Sequence, residues 1–65
     1  MIGTVQTLVT DKGYGFIRTA DGREWFFHRS ALKNVQIDEL EVGREVTFED
    51  AEGAKGPRAE DVYAS

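Results

Sequence analysis

Two aromatic segments carry most of the information in this sequence: Lys12-Gly13-Tyr14-Gly15-Phe16-Ile17 and, eight residues later, Trp25-Phe26-Phe27-His28. In a β-strand, successive side chains point to opposite faces of the sheet. If both stretches are strands, Tyr14 and Phe16 share a face with Arg18. In the second stretch, Phe26 likewise shares a face with His28. A face that carries charge and an imidazole is not expected to be a dry core. The sequence therefore predicts aromatic rings in contact with solvent.

Exposed rings next to cations suit the unpaired bases of a nucleic acid, because bases stack on rings while Lys and Arg follow the phosphates. The net charge of −4 at first argues against such a partner. However, residues 11–33 hold five basic and three acidic residues, whereas residues 38–52 hold seven acids against Arg44 alone. A local positive field can hold phosphates while acids elsewhere oppose non-specific binding. The acidic run is equally well explained as a solvated face.

Length and composition exclude several other classes of protein. Sixty-five residues correspond to one domain, 1–65. Cysteine is absent and His28 is the only histidine, so disulfides are excluded and no metal or cofactor is expected. No apolar run approaches the ~20 residues that span a bilayer and no signal pattern is present, so we expect no membrane partner and a cytoplasmic location. Ser30 has no assignable base, so we expect no enzymatic activity and no small-molecule substrate.

The alternation of residue types and the turn residues predict five short strands. We expect them at residues 2–8, 14–19, 23–29, 45–50 and 57–64. Asp21-Gly22 is a strong hairpin signal, and a Gly-containing turn is expected at residues 51–56. Five strands with one long connection fit a small closed barrel better than an open sheet, whose edges would be exposed.

The long connection, residues 30–44, shows no strand alternation. Ser30 is expected to cap a single helical turn at residues 30–32, and the rest is expected to be a loop. Four apolar residues are expected to hold this loop against the barrel: Val35, Ile37, Leu40 and Val42.

The two aromatic stretches resemble the two ribonucleoprotein motifs of the cold-shock domain family. Flanking segments match in order: Ile2-Gly3-Thr4-Val5, Ser30-Ala31-Leu32, Leu40-Glu41-Val42-Gly43 and Gly56-Pro57-Arg58-Ala59. The resemblance covers essentially the whole chain. It implies an all-β, five-stranded antiparallel oligonucleotide/oligosaccharide-binding (OB) barrel that binds single-stranded RNA or DNA, preferably pyrimidine-rich, as an RNA chaperone does.

The resemblance also implies the residues that bind the nucleic acid. Lys12 corresponds to a phosphate contact, and His28 to a stacking or hydrogen-bonding edge. The stacking platforms correspond to Tyr14, Phe16 and Phe26.

The chain departs from the family pattern at three places. Gln6-Thr7-Leu8 stands where the family usually has Lys-Trp-Phe, while Arg29 and Ile37 each replace an aromatic residue. Arg29 compensates in part, because a guanidinium plane both stacks and pairs with phosphate. Stacking contributes ~1–3 kcal/mol per base, so we expect weakened binding or a shorter footprint. The alternative is a protein-interaction or regulatory OB module whose nucleic-acid surface has decayed.

Trp25 and Phe27 stand where the family usually has valines that point into the barrel. Two large rings overfill an unchanged core, at ~1–3 kcal/mol for each poorly accommodated enlargement. Either small residues make room, for which Ala59, Ala31 and Thr4 are candidates, or Trp25 reaches the barrel end and is partly buried. We expect partial burial, because tryptophan is seldom fully enclosed.

Overall fold

The structure, a computed structural model, describes residues 1–53 and 56–65. It contains five strands and two single-turn 3₁₀ helices in the order β1 (Ile2–Val9), β2 (Tyr14–Arg18), β3 (Glu24–His28), η1 (Arg29–Ala31), η2 (Ile37–Glu39), β4 (Glu45–Gly53) and β5 (Gly56–Ala64). The strands form a closed barrel in the order β1-β2-β3-β5-β4. The all-β barrel predicted from the sequence is therefore confirmed.

One contact in the barrel is not antiparallel. Strands β1 and β2, β2 and β3, β1 and β4, and β4 and β5 all pair antiparallel, whereas β3 and β5 meet in parallel at Phe26 and Arg58. A ring with an odd number of strands cannot alternate direction at every contact, so closure of five strands requires one parallel pair. The long connection between β3 and β4 allows this, because it carries the chain across the barrel.

Several strand ends differ from the expected ones. The β4–β5 ladder continues beyond Asp50, with Ala51 opposite Arg58 and Gly53 opposite Gly56. Strand pairing therefore occupies most of the expected turn at residues 51–56, and its centre, residues 54–55, lies outside the described residues. Thr19 leaves β2 because its backbone bonds with Arg23 and Gly22 close the following turn.

The barrel interior is apolar and continuous. Its buried hydrophobic residues are Val5, Ile17, Trp25, Phe27, Ala31, Leu40, Val46, Phe48, Ala59 and Val62. Gly15 faces inward between two strands, where an added Cβ would lie 2.5 Å from the Thr7 carbonyl oxygen and 2.8 Å from the Phe27 ring. The absence of a side chain at Gly15 therefore makes room for Phe27.

The expected partial burial of Trp25 is wrong, since this residue is only 2% exposed. Its indole N–H donates to the Thr19 hydroxyl at 3.4 Å, and its ring centroid lies 5.6 Å from that of Phe48. The guanidinium of Arg23 covers the ring, 4.7 Å from its centroid. The turn after β2 thus encloses an indole that would otherwise reach solvent.

Two of the three small residues expected to make room lie inside the core. Ala59 and Ala31 are buried. Thr4, in contrast, is exposed on the outer side of β1 and provides no space inside. The small residues that lie in the core with the two rings are therefore Ala31, Ala59 and Gly15, and not Thr4.

The connection between β3 and β4 is more ordered than a loop. Ser30 does not cap η1; instead, the His28 imidazole accepts a hydrogen bond from the Ser30 backbone N–H. A second turn, η2, has a capping box made by Gln36 and Glu39. No helix in the described part of the chain has the length and hydrophobicity needed to cross a membrane.

The expected apolar anchors of this connection behave differently from one another. Leu40 is buried in the core, and Val35 packs against the core from outside. Ile37 is half-buried. Val42 is 64% exposed and anchors nothing, because the turn that contains it follows Leu40 at the barrel surface.

Candidate nucleic-acid interface

The outer face of the barrel carries a row of side chains that crosses four strands. Thr7 on β1 lies opposite Phe16 on β2, and Phe16 lies opposite Phe26 on β3. Phe26 in turn lies beside Arg58 on β5. Residues paired across a sheet point to the same side, so these four side chains form one continuous strip on the outside.

Three aromatic rings form the centre of this face. The ring centroids of Tyr14 and Phe26 are 5.6 Å apart, those of Phe16 and Phe26 5.8 Å, and those of Tyr14 and Phe16 6.2 Å. All three residues are half-buried rather than enclosed. Mutual edge-on and tilted contacts restrain the rings, and their remaining surface is open to a ligand. We call Tyr14, Phe16 and Phe26 the aromatic platform.

His28 extends the platform, since it lies directly opposite Tyr14. Its Nδ1 accepts a hydrogen bond from the Ser30 backbone N–H at 3.2 Å and lies 3.0 Å from the Ser30 hydroxyl. A backbone N–H can only donate, so Nδ1 carries a lone pair and the proton of the neutral ring is on Nε2. The imidazole therefore has a fixed orientation with an Nε2–H donor.

Two cations lie at the Tyr14 end of the platform. Lys12 is exposed in the turn before β2, and the Arg29 backbone N–H donates to the Gly13 carbonyl at 2.8 Å. A Cβ on Gly13 would lie 2.9 Å from Cδ of Arg29, so the stem of Arg29 passes directly over this glycine. Gly13 also has a φ of +77°, a conformation that other residues adopt only with strain. Gly13 thus allows the Arg29 side chain to lie against the turn that carries Lys12.

Arg58 is a residue of this face that the sequence reasoning missed. Its side chain is 44% exposed, and its Nε is 4.0 Å from a carboxylate oxygen of Glu60. The alternation of β5 indicates that Arg58 points outward, since its neighbour Ala59 is buried. Only closure of the barrel, however, brings it beside Phe26, and that contact leaves no signal in the sequence.

The structure therefore unites the residues singled out from the sequence. The platform and His28 lie on one face, and Lys12 and Arg29 lie at its end. A surface of restrained rings bordered by cations can stack bases and neutralise phosphates.

Comparisons with known proteins agree with this geometry. The family model described as the 'Cold-shock' DNA-binding domain matches residues 1–65. Cold shock protein 1 of Lactiplantibacillus plantarum is 43% identical over 60 residues, which cover 92% of this chain and 91% of the relative. The Major cold shock protein of Streptococcus pyogenes serotype M6 is 40% identical over 92% and 90% of the two chains. Cold shock-like protein CspC of Bacillus cereus is 40% identical over 95% of each. The chain belongs to the cold-shock DNA-binding domain family.

Proposed function

We propose that this protein binds single-stranded RNA and DNA and acts as an RNA-chaperone-like cold-shock protein rather than as an enzyme. Membership of the cold-shock domain family supports nucleic-acid binding as the general function. The observation that carries the proposal is the half-buried aromatic platform on the outside of the barrel. A contiguous apolar patch at the surface of a soluble protein marks an interaction site.

In this proposal the roles are divided among six residues. Bases stack on the platform and on the edge of His28, whose Nε2–H donates to a base or a phosphate. Lys12 and Arg29 pair with phosphates, and Arg29 also offers a plane for stacking. Duplexes are neglected, because their bases are already stacked within the helix. The preference for pyrimidine-rich strands rests on the family resemblance alone.

We further propose that the affinity is lower than that of a cold-shock domain with a ring in β1. Thr7 lies directly opposite Phe16, so it occupies the place where such a ring would extend the platform. One missing stack removes ~1–3 kcal/mol of binding free energy. Arg58, beside Phe26 on β5, adds a cation that offsets part of this loss.

The test is a titration of fluorescently labelled oligothymidine by anisotropy, beside a labelled duplex of equal length, at low and at moderate salt. We expect saturable binding of the single strand, with affinity falling as salt rises because phosphate contacts release counterions. Equal affinity for the single strand and the duplex, or no binding of either at high protein concentration and low salt, would refute the proposal.

The second candidate is a protein-interaction module with a decayed nucleic-acid surface. One observation favours it: Glu49 and Glu60 lie directly opposite each other on β4 and β5, and both are exposed. Two like charges in facing positions repel each other. A basic partner bound over Glu49 and Glu60 would relieve this repulsion. The same titration separates the candidates, because a decayed surface would not bind the labelled single strand at low salt.

A further inference from the structure

We propose that the recess beside the aromatic platform is a base-binding subsite with a preference for guanine, an inference that rests on the proposed function. The recess has a volume of about 600 Å³ and lies over β1 and the end of β2. It is lined chiefly by Ile2, Thr4, Gln6, Arg18, Ala20 and Glu45.

The recess begins one outward position along β2 from the platform. Phe16 and Arg18 are successive outward positions on β2, opposite Thr7 and Thr4 of β1 respectively. The pairing register shifts between Val5 and Thr7, so Gln6 is an extra residue in β1 and is exposed. Such a bulge re-aims a side chain, and here it places an amide between the Phe16 row and the Arg18 row. A single-stranded nucleic acid that continues from Phe16 in this direction therefore reaches the recess.

The charges around the recess favour a base over a phosphate. Thr4 pairs with Arg18 on one side and with Glu45 on the other, and Arg18 also pairs with Glu24. A phosphate bound by Arg18 would lie near both carboxylates, which oppose it. A base instead uses both kinds of group, because its edges carry donors as well as acceptors.

The pair of Arg18 and Glu45 matches the hydrogen-bonding groups of guanine. Arg18 and Glu45 are two strands apart, which corresponds to about 10 Å between their backbones. The O6 and N7 atoms of guanine accept two hydrogen bonds from a guanidinium, and its N2 amino group donates to a carboxylate. Arg18 is available for this, since among the side chains that the structure describes, those of residues 1–51 and 56–65, the ion pairs are Lys33 with Asp61 and Arg58 with Glu60.

The experiment measures how much one terminal nucleotide adds to binding. Tetrathymidine is extended at its 5′ or its 3′ end by guanosine, thymidine or an abasic nucleotide, and each strand is titrated against the protein and against Arg18→Gln. Lys33→Gln is the control, because it removes the same charge from a residue outside the recess. At one end, guanosine is expected to bind about tenfold more tightly than the abasic nucleotide, and also more tightly than thymidine.

Arg18→Gln is expected to abolish this difference while leaving tetrathymidine binding nearly unchanged, whereas Lys33→Gln keeps the difference. Guanosine addition is also expected to shift the backbone amide NMR signals of Thr4 and Gln6. If guanosine binds no more tightly than the abasic nucleotide or than thymidine at both ends, or if the difference survives in Arg18→Gln, the subsite is refuted and the proposed function stands. If no single strand binds at any length, both are refuted.

Discussion

Phe26 and Phe27 are neighbours in the sequence with opposite surroundings. Phe26 is half-buried on the outer face, beside Phe16 and Arg58, whereas Phe27 is fully enclosed in the core. The alternation of a strand produces this contrast without any further device. The same chemical group therefore serves the ligand at one position and stability at the next.

The first prediction compares the two residues directly. Phe26→Ala is expected to weaken single-strand binding by ~1–3 kcal/mol, the contribution of one lost stack, with a smaller effect on stability. Phe27→Ala is expected to lower the free energy of unfolding by ~3–5 kcal/mol, because it leaves a cavity. Oligonucleotide anisotropy and chemical denaturation measure the two effects. A larger loss of stability in Phe26→Ala would reverse the assignment of the faces.

The second prediction concerns the place of the missing ring. Thr7→Trp is expected to tighten single-strand binding, because Thr7 is exposed and lies opposite Phe16. The slope of log K against log salt is expected to be the same for Thr7→Trp as for the parent, since no phosphate contact changes. Arg29→Phe is the comparison: it is expected to flatten that slope by ~0.7 with a smaller or mixed change in affinity. A folded Thr7→Trp that binds no better than the parent would contradict the platform.

Among the elements, the turn between β2 and β3 does more than reverse the chain. The Asp21 carboxylate accepts hydrogen bonds from the Thr19 hydroxyl and the Arg23 backbone N–H. The Thr19 hydroxyl also accepts a hydrogen bond from the indole N–H of Trp25, and the Arg23 guanidinium lies over the indole ring. The turn thus closes one end of the barrel over its largest core residue.

The third prediction follows from the charge of this turn. The Thr19 and Arg23 hydrogen bonds lower the pKa of Asp21 below its ordinary value of 3.8. A lowered pKa in the folded state contributes stability above pH 3.8, which is lost as pH falls through the folded-state value. Asp21→Asn is therefore expected to melt at a lower temperature than the parent at pH 7, with the difference shrinking below about pH 4. A difference that is constant with pH would contradict this role.

The elements also show what could be predicted from the sequence. The faces of β2 and β3 follow from alternation, so the platform and His28 were predictable. The burial of Trp25 was not, because it depends on Arg23 folding back over the ring. Nor was the place of Arg58, because the β3–β5 contact exists only after closure. Predictions failed where the result depends on how a side chain folds back within a turn, or on a contact made only when the barrel closes.

For the whole molecule, the connection between β3 and β4 is tied to the last strand. The Asn34 side chain donates to the Ala64 carbonyl at 2.9 Å and accepts from the Ala64 N–H at 2.8 Å. Lys33 adds a backbone bond to the Val62 carbonyl. These contacts join segments 30 residues apart and hold the connection against the barrel.

The fourth prediction tests this attachment. Asn34→Ala is expected to lower the free energy of unfolding by ~1–2 kcal/mol, because two hydrogen bonds are lost. Asn34→Asp keeps only the accepting oxygen and is expected to lose an intermediate amount. Denaturant titration gives the stability, and oligonucleotide binding is expected to be unchanged in both variants. Equal stability of all three proteins would show that the attachment contributes nothing.

The enclosure of Trp25 determines what its fluorescence reports. It is the only tryptophan in the chain, and it lies inside the barrel wall that carries the platform on its outside. A base stacked on Phe16 or Phe26 cannot touch the indole, so binding is expected to leave native emission nearly unchanged. Unfolding, in contrast, exposes the indole and shifts its emission to the red.

Affinity is then measurable without a label, as a displacement of the unfolding transition. A ligand that binds only the folded state at 100 times its dissociation constant raises the free energy of unfolding by ~2.7 kcal/mol. The fifth prediction is that oligothymidine raises the free energy of unfolding of the parent in this way. Phe26→Ala, which is expected to bind more weakly, is the control and is expected to show a smaller increase. Strong quenching of the folded protein by oligothymidine would mean that bases reach the indole, and that the barrel wall is open at Trp25.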